Sequence, residues 1–381
     1  MSKHISKGYK LLVISDTGMY QKDSHWYAFG PVVTELEYCL SLFSEITWIG
    51  FNRNDQLNNA SYKQINSDKI KVIALQKVGG RSFLSKINIL INYPKMWSVI
   101  NHQVKKHAFI HVRAPSNPSI IATRLSIKYP DKNFWFKYAG SWVGKTSKSY
   151  SWQRNKLKSL KRNSKITVNG LWDNQPKNIL AFDNPCLDDE DRGLGKTIVE
   201  QKAVKKPYNI CFVGGLNDNK GVLNLIEAVK QLEPSLINEI NIVGDGVLRD
   251  TLFKKSTGLN INFYGYLSKK DVVSIYTKSH YIVLPSKSEG FPKVISEAMN
   301  YGCLPIVSSV SCIPQIIGEN NGYLLRSIEV SSIVETLIRA LQIDEHLFYK
   351  MISNNYQIAN RFTYKIYLDR IKNEIFELET L

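Results

Sequence analysis

The sequence predicts an α/β protein with two doubly wound parallel sheets, and three observations support this prediction. Short apolar segments, such as residues 10–15 and 281–284, have the composition of strands that are buried on both faces. These segments alternate with amphipathic helical stretches along both halves of the chain, which favours β-α-β units and parallel sheets. The length of 381 residues is sufficient for two domains of ~100–200 residues each.

The first half of the chain contains a series of predicted strands separated by helices. The strands are residues 10–15, 46–51, 70–75, 108–113, 133–138, 166–168 and 179–182. The amphipathic helices are residues 30–44, 82–105 and 118–128. We expect a polar loop over residues 16–29. We also expect a bend or break at Pro94, because proline has no amide hydrogen to donate within a helix.

The second half repeats this alternation after a predicted linker. Residues 187–207 begin with an acidic cluster, end in lysines and show little hydrophobic periodicity. The strands are residues 209–214, 240–243, 261–264, 281–284 and 304–308. The helices are residues 221–231, 248–255, 270–277, 330–343, 345–361 and 364–378. These boundaries predict a first domain over 1–190, a linker over 191–207 and a second domain over 208–360.

The formal net charge of +17 is concentrated in the first half of the chain. Residues 1–185 contain 28 lysines and arginines against 10 acids, whereas residues 186–381 contain 22 against 23. A positive field of this kind favours phosphates, anionic lipid surfaces or nucleic acid, although it is also compatible with a merely solubilising charge. The basic segment from Lys145 to Lys165 carries eight cations and no acid, with Tyr150 and Trp152 among them. It is either a solvated helix face or a docking site for an anionic membrane or a lipid-diphosphate.

The remaining composition predicts a cytoplasmic protein. No apolar run approaches the ~18–20 residues that span a bilayer, and residues 1–7 lack the apolar core of a signal peptide. The five cysteines are scattered and form no C-x-x-C pair, which favours buried thiols in a reducing compartment over disulfides or a zinc site.

Residues 286–299 form the most informative stretch. Glu289 and Glu297 stand eight residues apart, so a continuous helix would place both on one side, roughly 12 Å apart. Gly290 would allow a ligand to approach the backbone, and Pro292 suits the first helical position. Free amide groups at the helix start favour an anionic ligand with hydroxyl groups. The alternative is a plain strand-turn-helix with surface glutamates.

A second motif, residues 212–222, combines a strand, a glycine loop and a helix start. Gly214 and Gly215 permit close backbone approach, and Lys220 lies where a positive charge suits a phosphate. The motif is not a P-loop, because the Gly-Lys-Ser/Thr ending is absent. A tight turn with a surface lysine is the alternative. Gly244 belongs to a further glycine turn after a strand, which is a weak signal alone.

The order of these motifs resembles the family-4 (group 1) retaining glycosyltransferases, whose GT-B fold has two Rossmann-like domains. The matching landmarks are Val213-Gly214 with Lys220-Gly221, residues 243–246, Leu284-Pro285-Ser286 with residues 289–292 and 297–299, Gly302 with Pro305, Ile313-Pro314 and Asn321-Gly322. They occur in the family's order within residues 208–326, and the resemblance is weaker over residues 1–200.

The resemblance implies two domains facing across a cleft, with a final helix (residues 364–381) packing back on the first domain. It implies that Glu297 binds the ribose of a nucleotide-sugar and that Lys220 neutralises the diphosphate as the glycosidic bond breaks. Glu289 would hold the transferred sugar with the backbone of Gly290, Phe291 and Pro292. The other implied donor-binding residues are Gly214, Gly215, Gly244, Gly265, Tyr266 and Gly30. The resemblance also implies retention of configuration, with no metal and no cofactor.

The sequence departs from the family pattern at three positions. The first-domain glycine pair that is common in the family is reduced to Phe29-Gly30-Pro31. Gly215 occupies a position where the family commonly has an arginine, so one cation for the diphosphate is missing or is supplied elsewhere. Arg113 stands where a histidine is common, and our hypothesis is that it supplies part of that charge. The alternative is that Arg113 pairs with a carboxylate of its own domain. His111 and His25 are candidate acceptor-side residues or ordinary polar residues.

We therefore expect a metal-independent retaining glycosyltransferase that acts on a glycan or lipid-linked acceptor, typically in surface polysaccharide assembly. It would be cytoplasmic, with peripheral attachment to the inner membrane face as an option. A nucleotide-sugar epimerase or a phosphorylase on the same fold is an alternative. An inactive sugar-binding relative and a basic nucleic-acid-binding protein are others, although no nucleic-acid-recognition motif is apparent. The sequence does not specify the base, the sugar, the acceptor, the linkage or the oligomeric state.

Overall fold

The structure is a computed structural model that describes residues 8–53, 61–80, 82–144, 146–160 and 163–379. The chain forms two compact units. The first unit comprises Met1–Phe182 with Tyr367–Leu381, and the second comprises Asp183–Ile366. The C-terminal residues from Tyr367 onward thus belong to the first unit.

The first unit is built on a nine-stranded sheet. Its strands are β1 (Lys10–Lys22), β2 (His25–Phe29), β3 (Glu45–Asn52), β4 (Tyr62–Gln64), β5 (Ile70–Gln76), β6 (Phe109–Ala114), β7 (Asn133–Tyr138), β8 (Ser164–Val168) and β9 (Ile179–Ala181). Seven of them form a parallel array in the order β5-β3-β1-β6-β7-β8-β9, while β2 pairs antiparallel with both β1 and β4. The near-continuous apolar sequences of the central strands match this burial.

Two helical layers cover this sheet. The helices are α1 (Gly30–Cys39), α2 (Phe83–Lys106), α3 (Asn117–Lys128) and α4 (Lys148–Lys158). Buried side chains of α2, α3 and α4 share one core with one face of the sheet, and α1 shares the opposite core with the C-terminal segment. Contrary to the expected break, α2 runs continuously from residue 83 to residue 106 with Pro94 inside it.

The region expected to be a polar loop, residues 16–29, is instead a β-hairpin. β1 continues to Lys22, and the chain turns at Asp23 and Ser24, which have φ angles of 48° and 65°. Across the hairpin the rings of Tyr20 and Tyr27 stack with centroids 5.2 Å apart. Aromatic cross-strand pairs stabilise such ribbons, and the polar residues between them concealed this pattern in the sequence.

A buried ionic cluster joins the C-terminal segment to the first sheet. This Glu35 cluster consists of Glu35, Arg113, Lys137 and Tyr367. The Glu35 carboxylate, which is almost fully buried, accepts hydrogen bonds from Arg113 (2.9 Å), Lys137 (2.9 Å) and the Tyr367 hydroxyl (2.8 Å). Three donors offset the cost of burying the carboxylate. Because Tyr367 comes from the C-terminal segment, the cluster fastens that segment to strands β6 and β7.

The second unit is built on six parallel strands. They are β10 (Tyr208–Val213), β11 (Ile237–Val243), β12 (Ile261–Gly265), β13 (Tyr281–Leu284), β14 (Leu304–Ser308) and β15 (Tyr323–Leu325). Their order is β12-β11-β10-β13-β14-β15. The chain therefore builds outward in one direction from β10 and in the other from β13, so the topological switch point lies between these two strands.

Helices cover the second sheet, and the first of them occupies most of the segment that was expected to be a linker. The helices are α5 (Asp189–Gln201), α6 (Val222–Val229), α7 (Arg249–Lys255), α8 (Lys269–Lys278), α9 (Lys293–Asn300), α10 (Val330–Leu341) and α11 (Glu345–Ala359). The last helix, α12 (Tyr364–Arg370), leads back into the first unit, whose core contains Tyr367. Where a linker was expected over residues 191–207, α5 occupies most of the segment. Asp188 and Asp191 form a capping box at its start. Gly195 lies so close to Asn300 that a side chain there would overlap it.

The described residues contain no helix that combines the length and the apolar character needed to cross a bilayer.

The Glu35 cluster leads to a stability prediction. Removing one hydrogen bond to a buried carboxylate costs about 1.5–3 kcal/mol, so Tyr367→Phe should lower the melting temperature of the first unit. Glu35→Ala should lower it further, because leaving two cations without their buried partner costs about 3–5 kcal/mol. Tyr150→Phe is the control, since Tyr150 is exposed. Differential scanning calorimetry provides the measurement. An unchanged melting temperature for Tyr367→Phe would contradict a fastening role.

Candidate functional site

The candidate site is formed by the loops that follow β10 and β13. We call residues 214–221 the lysine loop and residues 285–292 the glutamate loop. Both loops leave the carboxyl ends of adjacent parallel strands at the switch point of the second sheet. In open α/β sheets this position forms a crevice in which ligands bind. The topology therefore brings together the two motifs that the sequence separates by about seventy residues.

Direct contacts hold the two loops together. The Asn219 side chain donates to the carbonyl of Ser288 (2.9 Å), and the Lys287 amide donates to the carbonyl of Asn219 (2.7 Å). Within the lysine loop, the Asn217 side chain accepts from the Asn219 amide (3.0 Å) at the start of a short 3-10 turn. These bonds fix the two loops as one structure.

Gly221 is required at the point where the lysine loop meets the glutamate loop. Its φ of +66° is in the left-handed region, and a Cβ at this position would overlap the carbonyl oxygen of Pro285. Glycine is therefore needed here both for its conformation and for the close approach of the two backbones.

Lys220 and Glu289, the two predicted catalytic residues, are in contact. The Lys220 ammonium pairs with Oε1 of Glu289, and their side chains are 23% and 10% exposed. The pair has no net charge, yet it retains enough exposure for a ligand to reach it. A diphosphate would find a lysine that is already oriented, and a sugar hydroxyl would find a carboxylate that can accept a hydrogen bond.

Glu289 and Glu297 do not share one helix face, which corrects the geometric argument made from their spacing. Pro292 is the N-cap residue, and α9 begins at Lys293. Glu289 thus lies in the loop before the helix, whereas Glu297 lies within it. The chain turns at Gly290 and Pro292, so the two carboxylates reach the site from different elements.

Glu297 lines a small cavity beside the loops. The cavity has a volume of about 150 Å³. Its lining residues are Leu187, Val213, Leu267, Lys269, Val272, Val273, Tyr276, Glu297 and Tyr301. The Tyr276 hydroxyl donates to Oε2 of Glu297 (3.1 Å). Burial raises the pKa of the Glu297 carboxyl, although the charge of Lys293 opposes this effect.

Three predicted glycines tie together the loops after neighbouring strands. Gly214 donates its amide to Val243 (3.0 Å), and Gly244 donates its amide to Gly265 (2.7 Å). Gly244 has a φ of +128°, and a Cβ there would overlap the carbonyl oxygen of Gly214. Gly244 is therefore needed for close backbone packing around the mouth of the site.

The aromatic residues of the predicted site differ in exposure. Tyr266 is 60% exposed and lies next to Leu267 of the cavity wall. Phe291 is buried, and its ring stacks on Phe362 with centroids 5.0 Å apart. Phe291 thus holds the glutamate loop in place through its side chain, which leaves its backbone as the part available to a ligand.

Two lysines, one in the cavity wall and one on the glutamate loop, were not singled out from the sequence. Lys269 pairs with Asp191 (2.5 Å), which also accepts from the Tyr301 hydroxyl (2.8 Å). Lys287 is exposed on the glutamate loop, directly beside the lysine loop. No sequence pattern pointed to Lys269, because its partner Asp191 falls in the expected linker. Lys287 contacts Asn219 of the lysine loop through its backbone amide, and Gly215, where the expected arginine is absent, belongs to the same loop.

The candidate residues of the first unit have other environments. Arg113 pairs with Glu35 of its own unit, which is the alternative considered for this residue. His111 is buried against Trp135, and both ring nitrogens lack a hydrogen-bond partner among the described residues. Burial holds its pKa well below the ordinary value. His111 and Arg113 are two residues apart on β6, so both lie on the face that α1 covers. His111 is therefore a core residue and not an exposed acceptor-side group.

Gly30 and His25 flank the second strand of the hairpin. His25 begins β2, where its Nδ1 lies 2.7 Å from the carbonyl oxygen of Asp23. Gly30 is the first residue of α1 and donates its amide to Ser61 (2.9 Å). Their predicted acceptor-side and donor-binding roles stay predictions.

The basic segment is helical in part. Its described portion includes α4, on which Tyr150 and Trp152 are 43% and 40% exposed. Lys145, Lys161 and Arg162 lie outside the described residues. Among the described residues, no group of three His, Cys, Asp or Glu side chains is arranged to hold a metal ion.

Sequence comparison identifies relatives for the second half of the chain. Residues 196–357 match the family model described as "Glycosyl transferases group 1". An uncharacterized 41.2 kDa protein in the cps region of Klebsiella pneumoniae is 29% identical over 139 residues, covering 36% of this chain and 38% of that protein. The UDP-Gal:alpha-D-GlcNAc-diphosphoundecaprenol alpha-1,3-galactosyltransferase of Escherichia coli is 31% identical over 181 residues, covering 44% of this chain and 45% of that protein. The chain thus matches less than half of the length of either relative.

Structural comparison extends over the whole chain. The Anabaena protein HepE, solved in complex with UDP and glucose, superposes with a TM-score of 0.68 and 14% identity. The match covers 97% of this chain and 99% of that chain. At this identity the likeness establishes the fold, and the prediction of a GT-B fold with two parallel-sheet α/β domains is confirmed.

The contact between the two loops can be tested by one glycine substitution. Gly221→Ala should destabilise the second unit and weaken ligand binding at the site, because the added methyl group displaces the Pro285 carbonyl. Gly258→Ala is a matched control, since Gly258 also has a positive φ of +84° but open space around it. The control should cost only about 1–2 kcal/mol for the left-handed conformation. Thermal unfolding measures both variants, and equal losses would show that the loop contact is unimportant.

Proposed function

We propose that this protein is a retaining glycosyltransferase of family 4, which transfers a sugar from a nucleotide-sugar to a glycan or lipid-linked acceptor. The observation that carries the proposal is the contact between Lys220 and Glu289 at the switch point of the second sheet, with Glu297 in the adjoining cavity. The match of residues 196–357 to the group 1 glycosyltransferase model supports it.

The donor would bind across the mouth of the second sheet. The Glu297 carboxylate accepts hydrogen bonds from the ribose hydroxyls, and the base lies beside Gly265, Tyr266 and Leu267. The diphosphate then extends towards Lys220, and the sugar lies against Glu289 and the backbone of residues 290–292. This order follows the path from the cavity to the paired loops.

Lys220 would contribute most to the chemical step. Negative charge accumulates on the diphosphate as the bond to the sugar breaks, and a positioned ammonium stabilises that charge more in the transition state than in the ground state. Glu289 holds Lys220 in place through the ion pair. When the diphosphate binds, it takes over as the counterion, and Glu289 turns its acceptor oxygens to the sugar.

We propose that the reaction needs no metal and no cofactor. Lys220, Lys287 and the amide groups at the start of α9 would together supply the positive charge that a cation supplies elsewhere. Lys287 is the residue that we assign to replace the arginine missing at Gly215. In a single-step transfer, retention of configuration would require the acceptor to attack from the face that the leaving diphosphate occupies.

The acceptor would be a glycan or a lipid-linked diphosphate at the cytoplasmic face of a membrane. The Escherichia coli relative is named for a diphosphoundecaprenol-linked substrate, and the Klebsiella relative is named for a cps region. The cations of the first half suit such a phosphate. We include the Lys145 to Lys165 segment as a contact with anionic lipid, since it combines lysines with exposed aromatic rings.

Nucleotide binding tests the role of Glu297. One of the UDP-, GDP-, ADP- or dTDP-sugars should raise the melting temperature. Glu297→Gln should weaken its binding about tenfold or more, as hydrogen bonds to a charged acceptor are lost. Because its pKa is raised, Glu297 loses its negative charge at a higher pH than an ordinary glutamate does. Affinity should therefore fall as the pH is lowered through the raised pKa of Glu297, and Glu297→Gln should lack this dependence. An unaltered pH profile in Glu297→Gln would exclude the assigned role.

Turnover tests the two lysines. Lys220→Gln should lower kcat by about 10²–10³, with a smaller loss for Lys287→Gln. Lys230→Gln is the control, because this lysine pairs with Glu227 on the surface of the same unit. Release of nucleotide is measured by coupled assay with and without acceptor, and in the presence of EDTA. Full activity of Lys220→Gln, or loss of activity in EDTA, contradicts the mechanism. Turnover of the donor without acceptor would favour an epimerase.

Arg113→Ala tests the remaining hypothesis for the missing cation. If Lys287 supplies that charge, Arg113→Ala keeps its kcat and changes mainly the stability of the first unit. A loss of kcat at unchanged stability would instead assign the charge to Arg113.

A further inference from the structure

We infer that the outer surface formed by α2, α3 and α4 is a docking surface for an anionic lipid bilayer, into which an apolar stripe of α2 inserts. We call this surface the helical layer. The Lys145 to Lys165 segment is already proposed to contact anionic lipid. Here a second helix, α2, joins that contact, and its apolar side chains add a hydrophobic contribution to the electrostatic one. The inference rests on the proposed function only for the identity of the acceptor, because lipid binding is measurable without turnover.

The charge distribution of this region is extreme. Residues 69–172 contain 21 lysines and arginines and a single acid, Asp131, so their formal charge of +20 exceeds the +17 of the whole chain. The sequences of α2, α3 and α4 contain no aspartate or glutamate at all. Basic residues at this density attract the negative surface of a membrane rich in anionic lipids.

The three helices lie side by side on one face of the first sheet. Arg124 of α3 donates to the hydroxyl of Tyr93 on α2 (2.5 Å), and Ser119 of α3 donates to Gln153 on α4 (2.6 Å). The inward side chains of all three helices belong to one core. Their outward faces therefore form one continuous surface, and the acid-free sequence is gathered on one side of the unit.

The apolar stripe lies on the first half of α2. It consists of Leu84, Ile87, Leu90 and Ile91, which are 76%, 38%, 73% and 71% exposed. Spacings of three, four and seven residues place Leu84, Ile87 and Ile91 along one side of the helix, with Leu90 beside them. The opposite side of α2 already contributes Met96, Ile100 and Val104 to the core, so the stripe is not needed to fold the unit.

Lysines flank the stripe, as in helices that lie in the membrane interface. Lys86 and Lys95 are exposed on the same helix, and Ile127 of α3 adds a further aliphatic side chain at 69% exposure. Aliphatic side chains enter the acyl boundary while the lysines contact lipid phosphates. Tyr150 and Trp152 of α4 have the amphipathic rings that favour the headgroup region.

A bilayer fits this surface better than the two other occupants. A second copy of the chain would bring two strongly positive surfaces together, which repel each other. A nucleic acid would satisfy the lysines, but its phosphates would leave the exposed leucines and isoleucines in water. Only an anionic lipid surface offers negative charge and an apolar interior at the same place.

Vesicle co-sedimentation of the full chain tests the inference. The vesicles contain one part phosphatidylglycerol to two parts phosphatidylcholine, with pure phosphatidylcholine for comparison. The wild type should bind the anionic vesicles, and Leu84→Ser/Leu90→Ser/Ile91→Ser should bind them at least tenfold more weakly. Val247→Ser/Phe253→Ser is the matched control and should bind like the wild type, since these apolar residues are equally exposed on the second unit. Lys148→Gln/Lys156→Gln/Lys158→Gln should also bind more weakly.

A second measurement separates insertion from adsorption. Leu90→Cys is labelled with an environment-sensitive dye, while the five native cysteines are buried. The emission should shift to the blue on anionic vesicles and stay shifted at raised ionic strength, which screens adsorption by charge alone.

The outcomes are distinct. Equal binding by the stripe variant, no dye shift, or absent binding by the wild type overturns the inference, as does tight binding to duplex DNA that is indifferent to the stripe. A preserved nucleotide-induced rise in melting temperature shows that the stripe variant is folded. Failure of the proposed glycosyl transfer would appear as absent nucleotide binding in the wild type, with vesicle binding intact.

Discussion

The contact between the lysine loop and the glutamate loop is the interaction on which the candidate site depends. The switch in strand order between β10 and β13 places the two loops side by side, and the absence of a side chain at Gly221 lets their backbones meet at Pro285. Only then do Lys220 and Glu289 come within reach of each other. The paired charges are therefore a consequence of backbone packing.

The sequence alone was enough to predict the bounds of elements that have a strong, local pattern of apolar residues. The strands at residues 133–138, 281–284 and 304–308 were predicted with the bounds that the structure has. Long-range partners decided the elements that differ. The β2 hairpin depends on stacking between Tyr20 and Tyr27, and α5 depends on its packing against Asn300. Neither contact produces a hydrophobic periodicity in the sequence from which the element could be predicted.

The same limit applies to the candidate site. Motif order was enough to propose Lys220, Glu289 and Glu297, since each stands at a fixed distance from a strand end. It could not reveal that Arg113 is bound to Glu35, because that pair joins a strand to a helix 78 residues away. The cations of the first half are accordingly of two kinds. Arg113 and Lys137 serve the interior of the first unit, whereas Lys86, Lys95 and Lys148 of the helical layer are exposed.

A crystal structure of the protein with a nucleotide-sugar tests the central claim most directly. The account predicts that the diphosphate lies within hydrogen-bond distance of Lys220, at roughly 2.7–3.2 Å, with the ribose hydroxyls on Glu297. It also predicts that Glu289 has moved from Lys220 to the sugar. A nucleotide bound away from the paired loops, or bound there with the Lys220–Glu289 pair intact and the diphosphate elsewhere, would contradict the account.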